Sequence, residues 1–177
     1  ASLAADAGSI ERVGLTYKAL TDDVQRGDTL LLDDGAIVLW VEGVIGPEIE
    51  TRVIVGGVLS DSKGINRQGG GLSAQAITAK DRADILVAAQ MRADYVAVSF
   101  PRCGDDIEEA RTLLREAGGH GGIVAKIERA EAMDSLEEII RAADVVMIAR
   151  GDLGVEIGDA ELPAVQKRII QIARTMD

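Results

Sequence analysis

The chain has 177 residues, 47% of them hydrophobic, which is enough apolar side chain for one domain or two small ones and excludes wholesale disorder. Its formal charge of −11 repels phosphate backbones and anionic lipid, and aromatic residues make up only 2%, so neither nucleic acid nor a membrane surface is an expected partner. A single cysteine, Cys103, and a single histidine, His120, exclude an internal disulfide and multi-cysteine or histidine-rich metal sites.

No basic stretch followed by an apolar core opens the chain, and no run reaches the roughly 18 apolar residues of a membrane span, so a soluble cytoplasmic protein is expected. Residues 10–66 read as short strands. Thr29-Leu30-Leu31-Leu32 and Ile37-Val38-Leu39-Trp40-Val41 flank Asp33-Asp34-Gly35, a hairpin signal because the turn needs positive φ. Glu50–Val55 follows the turn Gly46-Pro47, and helix-period stretches are absent, so a small antiparallel barrel or sandwich is expected. The glycine-rich run 67–73, Arg-Gln-Gly-Gly-Gly-Leu-Ser, lacks the Lys-Ser or Lys-Thr of a P-loop and reads as a joint between domains 1–68 and 69–177.

From residue 74 helix and strand alternate. A helix opens at Thr78 as its cap and runs to Gln90, and the strand 95–100 is stopped by Pro101. Ile107, Ala110, Leu113, Leu114 and Ala117 make one helical stripe, and Gly118–Gly122 with His120 reads as a loop tip. Strand 123–128 precedes a helix bearing Met133, Leu136, Ile139, Ile140 and Ala143; strand 145–149 precedes a helix bearing Leu162, Val165, Ile169 and Ile172. This is the pattern of βαβ units on a parallel sheet whose nearly continuous apolar strands need cover on both faces. The expected fold class is α/β, either a small open sheet or a piece, about three βα units, of a larger (β/α)8 TIM barrel.

Chemistry in such sheets sits at the carboxyl ends of the strands. Alternation places Lys126 and Glu128 on one face, roughly 6.6 Å apart, and charges there need partners or a metal. The next strand ends Ala149-Arg150-Gly151-Asp152-Leu153-Gly154, where Gly151 permits a sharp turn or close approach of a ligand. Glu128 and Asp152 together supply two oxygen ligands for Mg2+ (or Mn2+), and Lys126 a fixed positive charge for a phosphoryl group or enolate. On the residues alone, a solvated Lys126–Glu128 pair and a helix-capping Asp152 remain as alternatives.

Lys126-Ile127-Glu128 and the stretch Met147 to Glu156 closely resemble the pyruvate kinase family. The resemblance also takes in Gly27-Asp28, Leu32-Asp33-Asp34-Gly35, Lys63-Gly64-Ile65-Asn66, Leu72-Ser73, Lys80-Asp81 and Ala97-Val98-Ser99-Phe100, with bacterial features at residues 69–73 and 100–104. It implies that the first domain is a small all-β, barrel-like lid and the second part of the catalytic barrel. It implies transfer of phosphate from phosphoenolpyruvate to ADP, giving pyruvate and ATP. By the same resemblance Lys126 stabilises the transferring phosphoryl group, and Glu128 and Asp152 hold the divalent metal. Backbone groups of Gly151 and Asp152 hold the substrate carboxylate, Lys63 contacts the nucleotide, and Asp34 belongs to a loop facing the cleft. Arg150 lies in the motif and is equally a structural salt-bridge partner. The first and last barrel strands of the family are not matched, nor are its K+ ligands, so the segment alone is expected to be inactive and the full-length protein to be a homotetramer. Two alternatives are a Mg2+-dependent aldolase or lyase barrel acting on pyruvate or its enolate, and a non-catalytic nucleotide-binding β-module.

Overall fold

In a computed structural model, residues 8–176 are described, and they form a mixed α/β structure with two separate sheets. The chain divides into two compact units between Ala74 and Gln75.

The first unit begins with a short helix α1 (Leu20–Asp23), followed by β1 (Thr29–Leu32), β2 (Ile37–Ile45), β3 (Glu48–Val55) and β4 (Ile65–Arg67). All neighbours are antiparallel in the order β3-β2-β1-β4. The expected hairpin forms with Leu32 opposite Ile37. Its turn has φ of 50° at Asp33, 55° at Asp34 and 84° at Gly35, the left-handed region that short polar residues and glycine tolerate best. Of the barrel or sandwich expected, the described residues form one open sheet with β3 and β4 as its edge strands. One face packs Leu30, Leu32, Ile37, Val41 and Ile49 against Leu20 and Val24. Helix α1 was not legible as a period because four residues make little more than one turn; it is held by the fully buried Leu20.

The glycine-rich run stays with the first unit. Gly69, Gly70 and Gly71 have φ of 82°, 79° and 91°, so glycine is required at each. Asp23 then ties the run down, accepting hydrogen bonds from the Ser73 amide at 2.8 Å and from the Tyr17 hydroxyl. Burial pushes the Asp23 pKa up, but the hydrogen bonds from Tyr17 and from the Ser73 amide and side chain, with the charge of Arg67, together outweigh it and hold the carboxyl below its ordinary value.

The second unit runs α2 (Ala79–Gln90), β5 (Tyr95–Val98), α3 (Gly104–Glu116), β6 (Gly122–Ile127), α4 (Leu136–Ala142), β7 (Val145–Ile148), α5 (Arg150–Ile157) and α6 (Leu162–Thr175). Thr78 and Asp81 form the capping box at the start of α2. The expected helix through Met133 is broken: residues Glu131–Met133 make a 3-10 turn before α4. The three strands are parallel in the order β5-β6-β7. On β6, Ile123, Ala125 and Ile127 are fully buried against Ile107, Ala110, Leu114 and Leu136, each large side chain contributing about 1.5–3 kcal/mol by burial. Cover on both faces does not occur among the described residues: Tyr95, Val145 and Met147, on the face away from the helices, are 60%, 40% and 50% exposed.

The largest revision is α5. Gly151 does not make a sharp turn; it lies in the first helical turn, and the helix is anchored by Leu153 at 0% exposure and by buried Glu156.

Candidate functional site

The alternation on β6 that buries Ile123, Ala125 and Ile127 turns Lys126 to the opposite face, and Glu128 follows just beyond the strand's carboxyl end. The structure brings these two together. Lys126 Nζ lies 2.6 Å from Glu128 Oε1, with the Glu128 side chain 1% exposed and that of Lys126 25% exposed. Lys126 Nζ also donates to Ser99 Oγ at 3.0 Å, across from the end of β5. The other carboxylate oxygen, Glu128 Oε2, accepts from the Phe100 amide at 2.9 Å. A carboxylate this buried needs such partners, since an unpaired charge would cost several kcal/mol.

Phe100, which no local sequence pattern assigns a role, stands beside this pair. Its φ is 57°, unusual for a bulky residue, and the guanidinium of buried Arg129 lies 5.2 Å from its ring centroid. Glu156 accepts from the Ala130 amide at 2.8 Å and so links α5 to the chain just after β6. Charged residues at buried helical positions are the signal that would have found it.

Arg150, Gly151 and Asp152 form the first turn of α5, immediately after β7, the parallel neighbour of β6. Ala149 extends the ladder by donating to the Ile127 carbonyl at 3.1 Å. The first intrahelical bond of α5 is from the Leu153 amide to the Ala149 carbonyl, and no side chain caps the helix. The amides of Arg150, Gly151 and Asp152 therefore have no intrahelical acceptor, and the helix dipole favours an anion there. A side chain at Gly151 would meet nothing within 4 Å, so the space beside this turn is open. Asp152 is not the helix cap; Ala149 occupies that position. Among the described residues the Asp152 side chain makes no hydrogen bond or ion pair with the Lys126–Glu128 pair. Arg150 is exposed and makes none of the described salt bridges.

Lys63 stands in the first unit. Its Nζ is 2.8 Å from Asp33 Oδ1, and the pairing raises the lysine pKa, first through the hydrogen bond and then through the charge. It lines a pocket of about 430 Å³ with Tyr17, Leu32, Ser60 and Ser62 among others. Asp34 lies in the β1–β2 turn with positive φ, as a turn residue would.

Glu128 beyond β6 and Asp152 in α5 are the two carboxylates the sequence offers a cation, Glu156 being buried and engaged by the Ala130 amide, and among the described residues no group of three or more His, Cys, Asp or Glu could hold a metal ion. No helix among them is long and apolar enough to cross a membrane. Residues 2–177 match the family model described as pyruvate kinase, barrel domain. The chain is 56% identical over its whole length to pyruvate kinase II of Salmonella typhimurium and 53% identical to pyruvate kinase of Buchnera aphidicola subsp. Acyrthosiphon pisum, covering 38% of each. It is 44% identical over 94% of its length to pyruvate kinase of Mycobacterium tuberculosis, covering 35% of that protein. The chain thus spans well under half the length of these curated relatives. With the Lys126–Glu128 pair at the end of one strand and the open first turn of α5 at the end of the next, the chain belongs to the pyruvate kinase family.

Proposed function

We propose that this chain is the phosphoryl-handling segment of a pyruvate kinase, which transfers phosphate from phosphoenolpyruvate to ADP and yields pyruvate and ATP. The observation that carries the reading is the pairing of buried Glu128 with Lys126. An ammonium has three donors; Ser99 and Glu128 engage two of them, which leaves one for an oxygen of the transferring phosphoryl group. Phosphoryl transfer needs positioning and neutralisation of spread negative charge more than covalent participation.

The residues fit a divalent cation. Glu128 keeps acceptor capacity beyond its two present partners, and Asp152 is a second hard oxygen donor. One or two carboxylates, completed by substrate oxygens and water, is how Mg2+ is ordinarily held, and Mn2+ takes similar ligands. Bound there, the metal would supply charge neutralisation for the phosphoryl group and the enolate oxygen. The unengaged amides of Gly151 and Asp152 would hold the substrate carboxylate, and the missing side chain of Gly151 lets it approach. Lys63 would contact the nucleotide phosphates. On this reading the second unit is about three βα units of a (β/α)8 barrel, with the exposed face of β5-β6-β7 turned to the barrel interior. The first unit is the nucleotide-contacting β-domain, and the full-length enzyme is a cytoplasmic homotetramer that also uses K+, whose ligands lie outside this segment.

The test is made in a full-length pyruvate kinase carrying this segment, with ADP-dependent pyruvate formation followed against Mg2+ concentration. Glu128→Gln raises the Mg2+ requirement and is partly rescued by excess Mg2+. Lys126→Met lowers kcat by about 10²–10⁴-fold without rescue, the scale of one preorganised electrostatic contact. Its Mg2+ affinity is unchanged or tighter, because the ammonium no longer competes for Glu128. An unaltered Mg2+ requirement in Glu128→Gln, or rescue of Lys126→Met by Mg2+, overturns the assignment.

A further inference from the structure

Two consecutive residues at the end of β5 address the two charged residues at the end of β6. Ser99 meets Lys126 through its side chain, and Phe100 meets Glu128 through its main-chain amide. The amide does this with Phe100 in a left-handed conformation, at φ 57°, which a Cβ-bearing aromatic residue disfavours. Something must hold it. Arg129, at 7% exposure, places its guanidinium over the Phe100 ring at 5.2 Å from the centroid, within cation–π range. Arg129 directly follows Glu128 in the chain, so one short segment grips both the ring and, through the carboxylate, the amide of the same residue. Ring and amide share one Cα, so holding the ring narrows the positions open to the amide.

We propose that Phe100, clamped by Arg129, is a positioning residue that fixes the Glu128 carboxylate in the orientation in which it receives a divalent cation. This rests on the assignment of Glu128 as a metal ligand made above.

The clamp makes an unusual demand on substitutions. If the ring serves to hold the backbone left-handed, removing it matters to an L-residue and hardly to glycine, which enters that region without a steric penalty. If the ring only fills space, glycine is the poorer replacement. In the full-length enzyme, Mn2+ affinity is read from the electron paramagnetic resonance of free Mn2+, with no substrate present. Phe100→Ala weakens Mn2+ binding about tenfold, the lower end of what loss of an outer-shell support costs a metal site. Phe100→Gly regains most of that loss, and Arg129→Gln resembles Phe100→Ala. Far-ultraviolet circular dichroism checks folding. Should Phe100→Ala fail to fold, Phe100→Gly decides alone: near-normal binding supports the clamp and a tenfold loss refutes it. Equal losses in the alanine and glycine variants, or normal binding in Phe100→Ala, overturn the inference. A Glu128→Gln control that binds Mn2+ normally overturns the metal assignment and this inference with it. A Glu128→Gln loss beside a normal Phe100→Ala overturns the clamp alone.

Discussion

Removing the Lys126 ammonium strands a carboxylate that is 1% exposed, and the cost is readable without any substrate. Breaking a buried ion pair by deleting one partner typically costs about 3–5 kcal/mol. Two features reduce that here: the Lys126 side chain is 25% exposed, and Glu128 retains the Phe100 amide at 2.9 Å. A loss of about 2–3 kcal/mol is the resulting estimate for Lys126→Met. With a urea slope of about 1.5 kcal/mol/M for a unit of this size, the midpoint falls by roughly 1.3–2 M. The two units carry separate reporters. Helices α2 to α6 all lie in the second unit and dominate the circular dichroism at 222 nm, whereas Trp40, the sole tryptophan, lies on β2 of the first. Lys126→Met is therefore expected to shift the dichroism transition and leave the Trp40 fluorescence transition in place. Adding Glu128→Gln to it removes the stranded charge, so the double variant loses less than the sum of the single ones, with a coupling of about 2 kcal/mol. Strict additivity, or an equal shift of both transitions, would refute the claim that Lys126 offsets the cost of burying the Glu128 carboxylate.

The second unit should also lose stability in acid through Asp144. The Ile123 amide at 2.6 Å, and after it Arg111 at 2.7 Å, hold this carboxyl below its ordinary pKa. A depressed carboxyl contributes stability that is fully present above its unfolded-state pKa and is lost as pH falls through the folded value. The dichroism midpoint is thus expected to fall on acidification below the ordinary aspartate range, and less steeply in Asp144→Asn; identical pH profiles would count against it. In the first unit, Gly71→Ala puts a Cβ 2.3 Å from Arg67 Nη1 at a residue with φ of 91°. It disturbs the pairing of Arg67 with Asp28, at 3.0 and 3.1 Å, and should cost at least about 1–2 kcal/mol in the Trp40 fluorescence transition alone.

Much of this protein is determined by neighbours in sequence. The Asp33-Asp34-Gly35 turn, the Thr78 cap and the apolar stripe of α3 rest on interactions within about one turn of chain, so residue order specifies them. The strict alternation on β6 likewise separates Lys126 from the core before any coordinates are known. Other features were settled by residues distant in the chain. Glycine at 151 argues locally for a turn, but burial of Leu153 and the bond from Ala130 to Glu156 make α5 a helix. The partners of Lys126 and Glu128 come from Ser99 and Phe100, 27 and 28 residues away, and the left-handed backbone of Phe100 has no sequence signal because an aromatic side chain opposes it. The open first sheet shows the same limit, since strand patterns specify which face is buried while closure depends on whether the two edge strands meet in space.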